Sequence, residues 1–140
     1  MITDSYAIPA GSPGTSHHLI VHRFGRQGAR PCVYIQAALH ADEIPGMICA
    51  QSLRRELVAI EAAGDLIGEV VLVPVAHPLG LGQQVLGQPV GRFSLSDGGN
   101  FNRDFPALGE GLIARIGDRL GYESEANAAL IRQALIEELD

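Results

Sequence analysis

The chain has no tryptophan, only two cysteines among its 140 residues, no run of basic residues and no long apolar stretch. Each shortage excludes something. With ten basic against sixteen acidic residues and a formal charge of -6, a phosphate-backbone partner is not expected, because nucleic-acid binding relies on clustered Lys and Arg. The longest apolar run, around Val70 to Ala76, is too short to cross a bilayer. Met1 to Gly14 shows no basic start followed by an apolar segment, so no secretory signal is expected and the cytoplasm is the default location. Cys32 and Cys49 sit among apolar neighbours and read as small core residues of a reducing compartment. What is present, 46% hydrophobic and 19% charged residues, suits one soluble globular domain over 1–140.

Residues 1–14 are expected to be a surface lead-in, because Ile8-Pro9-Ala10-Gly11-Ser12-Pro13-Gly14-Thr15 is turn-forming and polar. His17 to Phe24 alternates as an exposed or edge strand does, while Pro31 to Leu39 is β-branched, aromatic and hardly alternates, which predicts a strand buried on both faces. From Glu43 to about Ala63 the period becomes helical, with Cys49, Ala50, Leu53, Leu57 and Ile60 on one face, Pro45 in the first turn and Gly64 as the stop. Ile67 to Ala76 reads as a second central strand. This strand, helix, strand unit implies a parallel pair. Pro78 to Phe105 holds many glycines and little periodicity, and a loop that long in a compact domain is usually functional. Glu110–Leu120 and Ser124–Leu139 are helix candidates, the latter with Asn127, Leu130, Ile131 and Ala134 facing inward.

Two clusters carry chemistry. His40-Ala41-Asp42-Glu43 sets an imidazole and a carboxylate three positions apart at the junction of strand and helix. Zinc accepts such N and O donors, and strand C-termini are where open α/β sheets bind ligands. The bland alternative is that these residues cap the helix and face solvent. The second cluster runs from Arg92 to Asn100-Phe101-Asn102-Arg103-Asp104-Phe105-Pro106. Its amide and guanidinium suit a carboxylate, and Arg92 suits an oxyanion, although Phe101 and Phe105 would equally anchor an ordinary loop. Of the other histidines, His17, His18 and His22 read as surface residues. His77, at the same sheet end as His40, reads as a loop-structural residue or a substitute ligand.

Together and in this order the clusters resemble the succinylglutamate desuccinylase and aspartoacylase family, relatives of the zinc carboxypeptidases. The resemblance runs from about Thr15 to the end. In that family His-Gly-Xaa-Glu closes a strand and its His and Glu bind zinc, which implies His40 and Glu43 as metal ligands here. The Asp-Leu-Asn-Arg-Xaa-Phe-Pro that follows a family arginine matches Asn100 to Pro106. It implies that Asn102 and Arg103 bind the substrate carboxylate and that Arg92 polarises the scissile carbonyl. Ala41 stands where glycine is usual, Asn100 where aspartate is usual, and His77 where asparagine is common. Asp42 is expected to orient His40.

The implied fold is α/β, a mixed, mainly parallel sheet flanked by helices, the N-terminal part of a zinc carboxypeptidase-like domain. The family's third zinc ligand and its general-base glutamate come later, so the chain is expected to be a fragment, inactive alone, of a Zn2+-dependent hydrolase of N-acyl amino acids. The alternatives are a zinc carboxypeptidase acting on peptides, a carboxylate-binding module without catalysis, and a fragment whose site is not ordered. Surface left open by missing strands would favour homo-oligomers.

Overall fold

The structure, a computed structural model, describes residues 1–9 and 13–139. Ala10, Gly11 and Ser12 of the expected lead-in, and Asp140, lie outside the described residues. Contacts divide the chain into two compact units, 1–103 and 104–140.

The first unit is built on a four-stranded sheet. Strands β1 (Ile2–Ile8), β2 (His17–Gly25), β3 (Cys32–Gln36) and β4 (Glu69–Val73) lie in the order β1-β2-β4-β3. β1 pairs antiparallel with β2 from Ile2↔Arg23 to Ile8↔His17, β2 pairs antiparallel with β4, and β3 pairs parallel with β4. The α/β class and the mixed sheet stand. The balance differs from the expectation, because two of the three pairings are antiparallel.

The physical reason is β1, which occupies what the sequence suggested was lead-in. Its Thr3 and Ser5 hydroxyls bond to Nδ1 of His22 and His18 at 3.0 and 3.1 Å, and Arg23 donates to Asp4 at 3.0 Å. Cross-strand polar pairs of this kind hold a strand without the apolar alternation that announces one. β1 also makes β2 an interior strand rather than an edge.

β2 and β4 place Phe24 and Leu72 on one face and Val21, Val71 and Val73 on the other. Helix α1 (Ile44–Ala63) covers the first face with Ala50 and Leu57. Each fully buried aliphatic side chain there contributes about 1.5–3 kcal/mol. Pro45 fits the first turn of α1, and Gly64, at φ 79°, adopts the left-handed conformation that ends it.

β3 is not buried on both faces. It lies at the sheet edge with only β4 beside it among the described residues, leaving Val33 and Tyr34 exposed. Cys32 and Cys49 are free and exposed, so neither is the core residue its neighbours suggested. The loop after β4 holds a short helix α2 (Pro78–Gly82) and a hairpin of β5 (Gln84–Val85) and β6 (Gln88–Pro89).

In the second unit, α3 (Leu108–Ile116) continues into a 3-10 turn (Gly117–Arg119) and is followed by α4 (Ser124–Leu139). Ile116 and Ala134 are buried, and Arg115 pairs with Glu137 and Glu138. No helix among the described residues is long and apolar enough to cross a membrane.

Candidate metal and carboxylate site

Beyond Gln36 the chain stays tied to the strand below, with Ala37 N–H donating to Val73 O at 3.0 Å and Ala76 N–H to Ala37 O at 2.8 Å. Ala38 then takes a left-handed φ of 56°, a conformation that costs an L-residue about 1–3 kcal/mol and tends to persist at functional positions. A turn closed by Glu43 N–H on His40 O, 3.1 Å, leads straight into α1. This places both side chains at the C-terminal end of the parallel pair and at the mouth of the helix.

The Glu43 carboxylate makes no side-chain cap on α1. It turns back instead, with Oε1 3.2 Å from Nδ1 of His40. The capping alternative therefore does not describe it. His40 is buried, 4% exposed, while the Glu43 side chain is 58% exposed, so one donor is fixed and the other reaches it from solvent.

Arg92 joins the two, with Nη1 2.8 Å from His40 Nδ1 and Nη2 2.8 Å from Glu43 Oε1. The guanidinium, and then the imidazole, hold the Glu43 carboxyl below the usual carboxylate range. Arg92 reaches this position because Gly91 lies against the His40 turn, its carbonyl accepting from Ala41 N–H at 2.8 Å. A Cβ on Gly91 would stand 2.3 Å from Asp42 N and 2.6 Å from Ala41 C. The buried Ala41 is thus packed beneath a glycine of the facing loop.

That loop doubles back through a bridge between Phe93 and Asn100 and a bond from Phe101 N–H to Arg92 O, 3.1 Å. It thereby brings Asn100 to the far side of the imidazole, Oδ1 2.7 Å from Nε2. The sequence singled out Asn100 only as a departure and expected Asp42 to orient His40. Asp42 instead faces Arg92, Oδ2 3.7 Å from Nε. No local pattern links His40 and Asn100, sixty positions apart. The one available signal was the spacing of Asn100 and Asn102, which suits a side-chain turn.

Asn102 lies in the same turn, its N–H donating to Asn100 Oδ1 at 2.9 Å. With Glu43 it lines an open groove of about 920 Å³, whose apolar wall includes Ile35, Ala37, Leu39 and Leu53. Arg103 is exposed and donates from Nη1 to Asn102 O at 2.6 Å. His40, Glu43, Arg92 and Asn100 are therefore brought into one hydrogen-bonded cluster, while the predicted clamp residues flank it.

The remaining histidines stand elsewhere. His77 caps α2, its Nδ1 accepting from Gly80 N–H at 3.0 Å, and stacks on Phe101 at 3.6 Å between ring centres. Burial lowers its pKa. His18 and His22 are held on β2 by the hydroxyls of β1. Among the described residues no three His, Cys, Asp or Glu side chains converge on one point; His40 and Glu43 are the two potential donors that approach each other in this cluster.

That pair suits zinc. An imidazole nitrogen and a carboxylate oxygen 3.2 Å apart have the separation of two donors that each lie about 2.0–2.2 Å from one ion at a near-tetrahedral angle.

Residues 29–134 match the succinylglutamate desuccinylase/aspartoacylase catalytic domain. Among solved structures, the chain is similar to a protein from Shewanella amazonensis assigned to this family, with 30% identity and a TM-score of 0.76 over 99% of this chain and 37% of that one. A second, from Shewanella frigidimarina, shares 25% identity with a TM-score of 0.69 over 98% and 36%. An aspartoacylase family protein from Mesorhizobium loti shares 28% with a TM-score of 0.51 over 75% and 30%. The chain thus spans little more than a third of the length of the two Shewanella proteins. No curated protein matches it significantly. With the matched segment covering most of its length, the chain belongs to the succinylglutamate desuccinylase/aspartoacylase family.

Proposed function

We propose that this chain supplies two metal donors and the substrate clamp of a zinc-dependent hydrolase that cleaves the amide bond of N-acyl amino acids. The observation that carries the reading is the convergence of Nδ1 of His40 and Oε1 of Glu43 at 3.2 Å, with Arg92 beside both. Zinc held there would supply Lewis acidity toward water and the amide carbonyl.

The chain's own residues would bind and orient. Asn102 and Arg103 sit on the loop that flanks the pair, where an amide and a guanidinium grip a carboxylate. Arg92, 38% exposed at its side chain, is free to turn from Glu43 toward a carbonyl oxygen that gains negative charge. The apolar wall of the groove would take the carbon chain of the substrate. A third metal donor and a general base are not within this cluster, so the complete reaction is assigned to a longer protein of the relatives' size.

The test is binding by the labelled chain, followed by NMR. An N-acyl amino acid should perturb Asn102 and Arg103 while its carboxamide does not, and Arg103→Ala should abolish the effect. Equal response to both compounds, or no response at either residue, overturns the clamp. Zinc-independent binding without amine release by a longer form would instead support a binding module.

A further inference from the structure

We infer that Gln83 is a positioning residue for Arg92, its carboxamide fastening the backbone on both sides of the arginine. The consequence for catalysis rests on the role proposed above for Arg92, but the geometry does not. Gln83 closes α2, its N–H donating to Gly80 O at 3.2 Å. The β5–β6 hairpin separates it from the Arg92 loop, and its own carbonyl accepts from Val90 N–H at 3.0 Å at the base of that hairpin.

The side chain then spans the loop. Nε2 donates to Val90 O at 2.7 Å and to Phe93 O at 2.8 Å, while Oε1 accepts from Leu95 N–H at 3.0 Å. A backbone N–H can only donate, so the atom facing Leu95 is the oxygen and the amide orientation follows from the network. Both amide hydrogens are thereby used, one on each side of Arg92.

Buried or loop-borne carbonyls need partners, and the four from Val90 to Phe93 have them from three directions. Gln83 takes the outer two. Gly91 O accepts from Ala41 N–H at 2.8 Å, and Arg92 O accepts from Phe101 N–H at 3.1 Å. The guanidinium that lies 2.8 Å from both His40 Nδ1 and Glu43 Oε1 therefore starts from a fixed backbone. Supporting bonds of this kind hold a functional side chain in its working geometry.

Glutamine alone among side chains of this length supplies two donors and an acceptor. Glutamate, of the same size, would set a carboxylate oxygen against two carbonyl oxygens, and methionine would offer no polar partner. Phe93 and Leu95 are exposed, so water takes over part of the lost bonds. Substitution should therefore loosen this loop locally rather than unfold the chain.

The experiment is hydrogen exchange by NMR on the nitrogen-15-labelled chain, for the wild type, Gln83→Met, Gln83→Glu and, as a control, Gln84→Met on the exposed β5. In the wild type both Gln83 side-chain amide protons and the Ala41 N–H should exchange slowly, and the Arg92 guanidinium signals should stand apart from those of exposed arginines. Gln83→Met should cut Ala41 protection about 10–100-fold and merge the Arg92 signals with the rest, while the β4 amides and the control keep the wild-type pattern. Gln83→Glu, which keeps the size but not the donors, should do so at least as strongly. In a longer, active form Gln83→Met should lower kcat about 10–100-fold and add nothing to the loss in Arg92→Ala, because it acts through that residue.

Fast exchange of the wild-type Gln83 amide protons, unchanged Ala41 and Arg92 signals in either folded variant, protection lost equally across β4, or a kcat loss that adds in full to that of Arg92→Ala overturns the proposal. Should neither variant fold, the wild-type exchange still decides. Should Arg92→Ala leave kcat unchanged, the catalytic reading of Arg92 fails, and the exchange measurements judge Gln83 separately.

Discussion

The Arg92 guanidinium bonds to both proposed metal donors at once, 2.8 Å from His40 Nδ1 and 2.8 Å from Glu43 Oε1. It is thus a resident cation against the two atoms that a metal ion would share. Arg92→Ala should bind zinc roughly two- to five-fold more tightly, a modest gain because the Arg92 and Glu43 side chains are partly exposed. In a longer, active form the same variant should lose about 10²–10³ in kcat, as removal of an oxyanion donor does. Calorimetry and turnover read the two effects separately. Weaker zinc binding by Arg92→Ala would show that the arginine supports the metal donors instead of competing for them.

Gly91 sets the distance between the Arg92 loop and the His40 turn. Gly91→Ala would force a Cβ to within 2.3 Å of Asp42 N and 2.6 Å of Ala41 C, and both are backbone atoms that cannot swing aside. The variant should lose about 1–3 kcal/mol of stability in denaturant titration, as overpacking does. Its His40 and Glu43 resonances should shift. Wild-type stability and spectra would contradict the close approach.

Glu69, 5% exposed, is the buried carboxylate of the sheet. It accepts from Arg23 at 3.3 Å and from Gly28 N–H at 2.9 Å. Arg23 keeps Asp4 as a second partner and the exposed Gly28 can turn to water, so Glu69→Ala costs chiefly the charge-assisted hydrogen bonds that the carboxylate accepts. The expected loss is about 1–3 kcal/mol in chemical denaturation.

Acid should weaken the fold partly through Glu61. The Met1 ammonium, and after it the Gly25 N–H at 2.8 Å, hold its carboxyl below the ordinary range. A carboxyl depressed in the folded state stabilises fully above its unfolded value of about 4.3, and the contribution is lost as pH falls from there through the folded value. Glu61→Gln should be less stable than the wild type at neutral pH, and the difference should shrink as pH falls below about 4. A constant difference across that range would contradict the assignment.

How much of this was legible follows from what each segment has to bury. α1 and the β3–α1–β4 crossover were readable because Leu53 and Leu57 repeat at helical spacing between two β-rich runs, with Pro45 and Gly64 marking the ends. β1 was not, since Thr3, Asp4 and Ser5 hold it through polar partners on β2. β3 was misjudged for the opposite reason. Its apolar residues promised burial, but Val33 and Tyr34 stand at an open edge among the described residues. In the site, spacing singled out the short-range pair His40 and Glu43 as candidates, and the family resemblance gave them their expected role. Asn100 as partner of His40 and Gly91 as spacer could not be found this way, because both act across a loop closure that no local pattern encodes.

The most direct test of the central claim is a zinc titration by calorimetry on the wild-type chain beside His40→Ala and Glu43→Gln. One binding event of modest affinity is expected, from the two proposed donors, lost in His40→Ala and weakened in Glu43→Gln. Zinc binding unchanged by both substitutions, or no zinc binding at all, would contradict it.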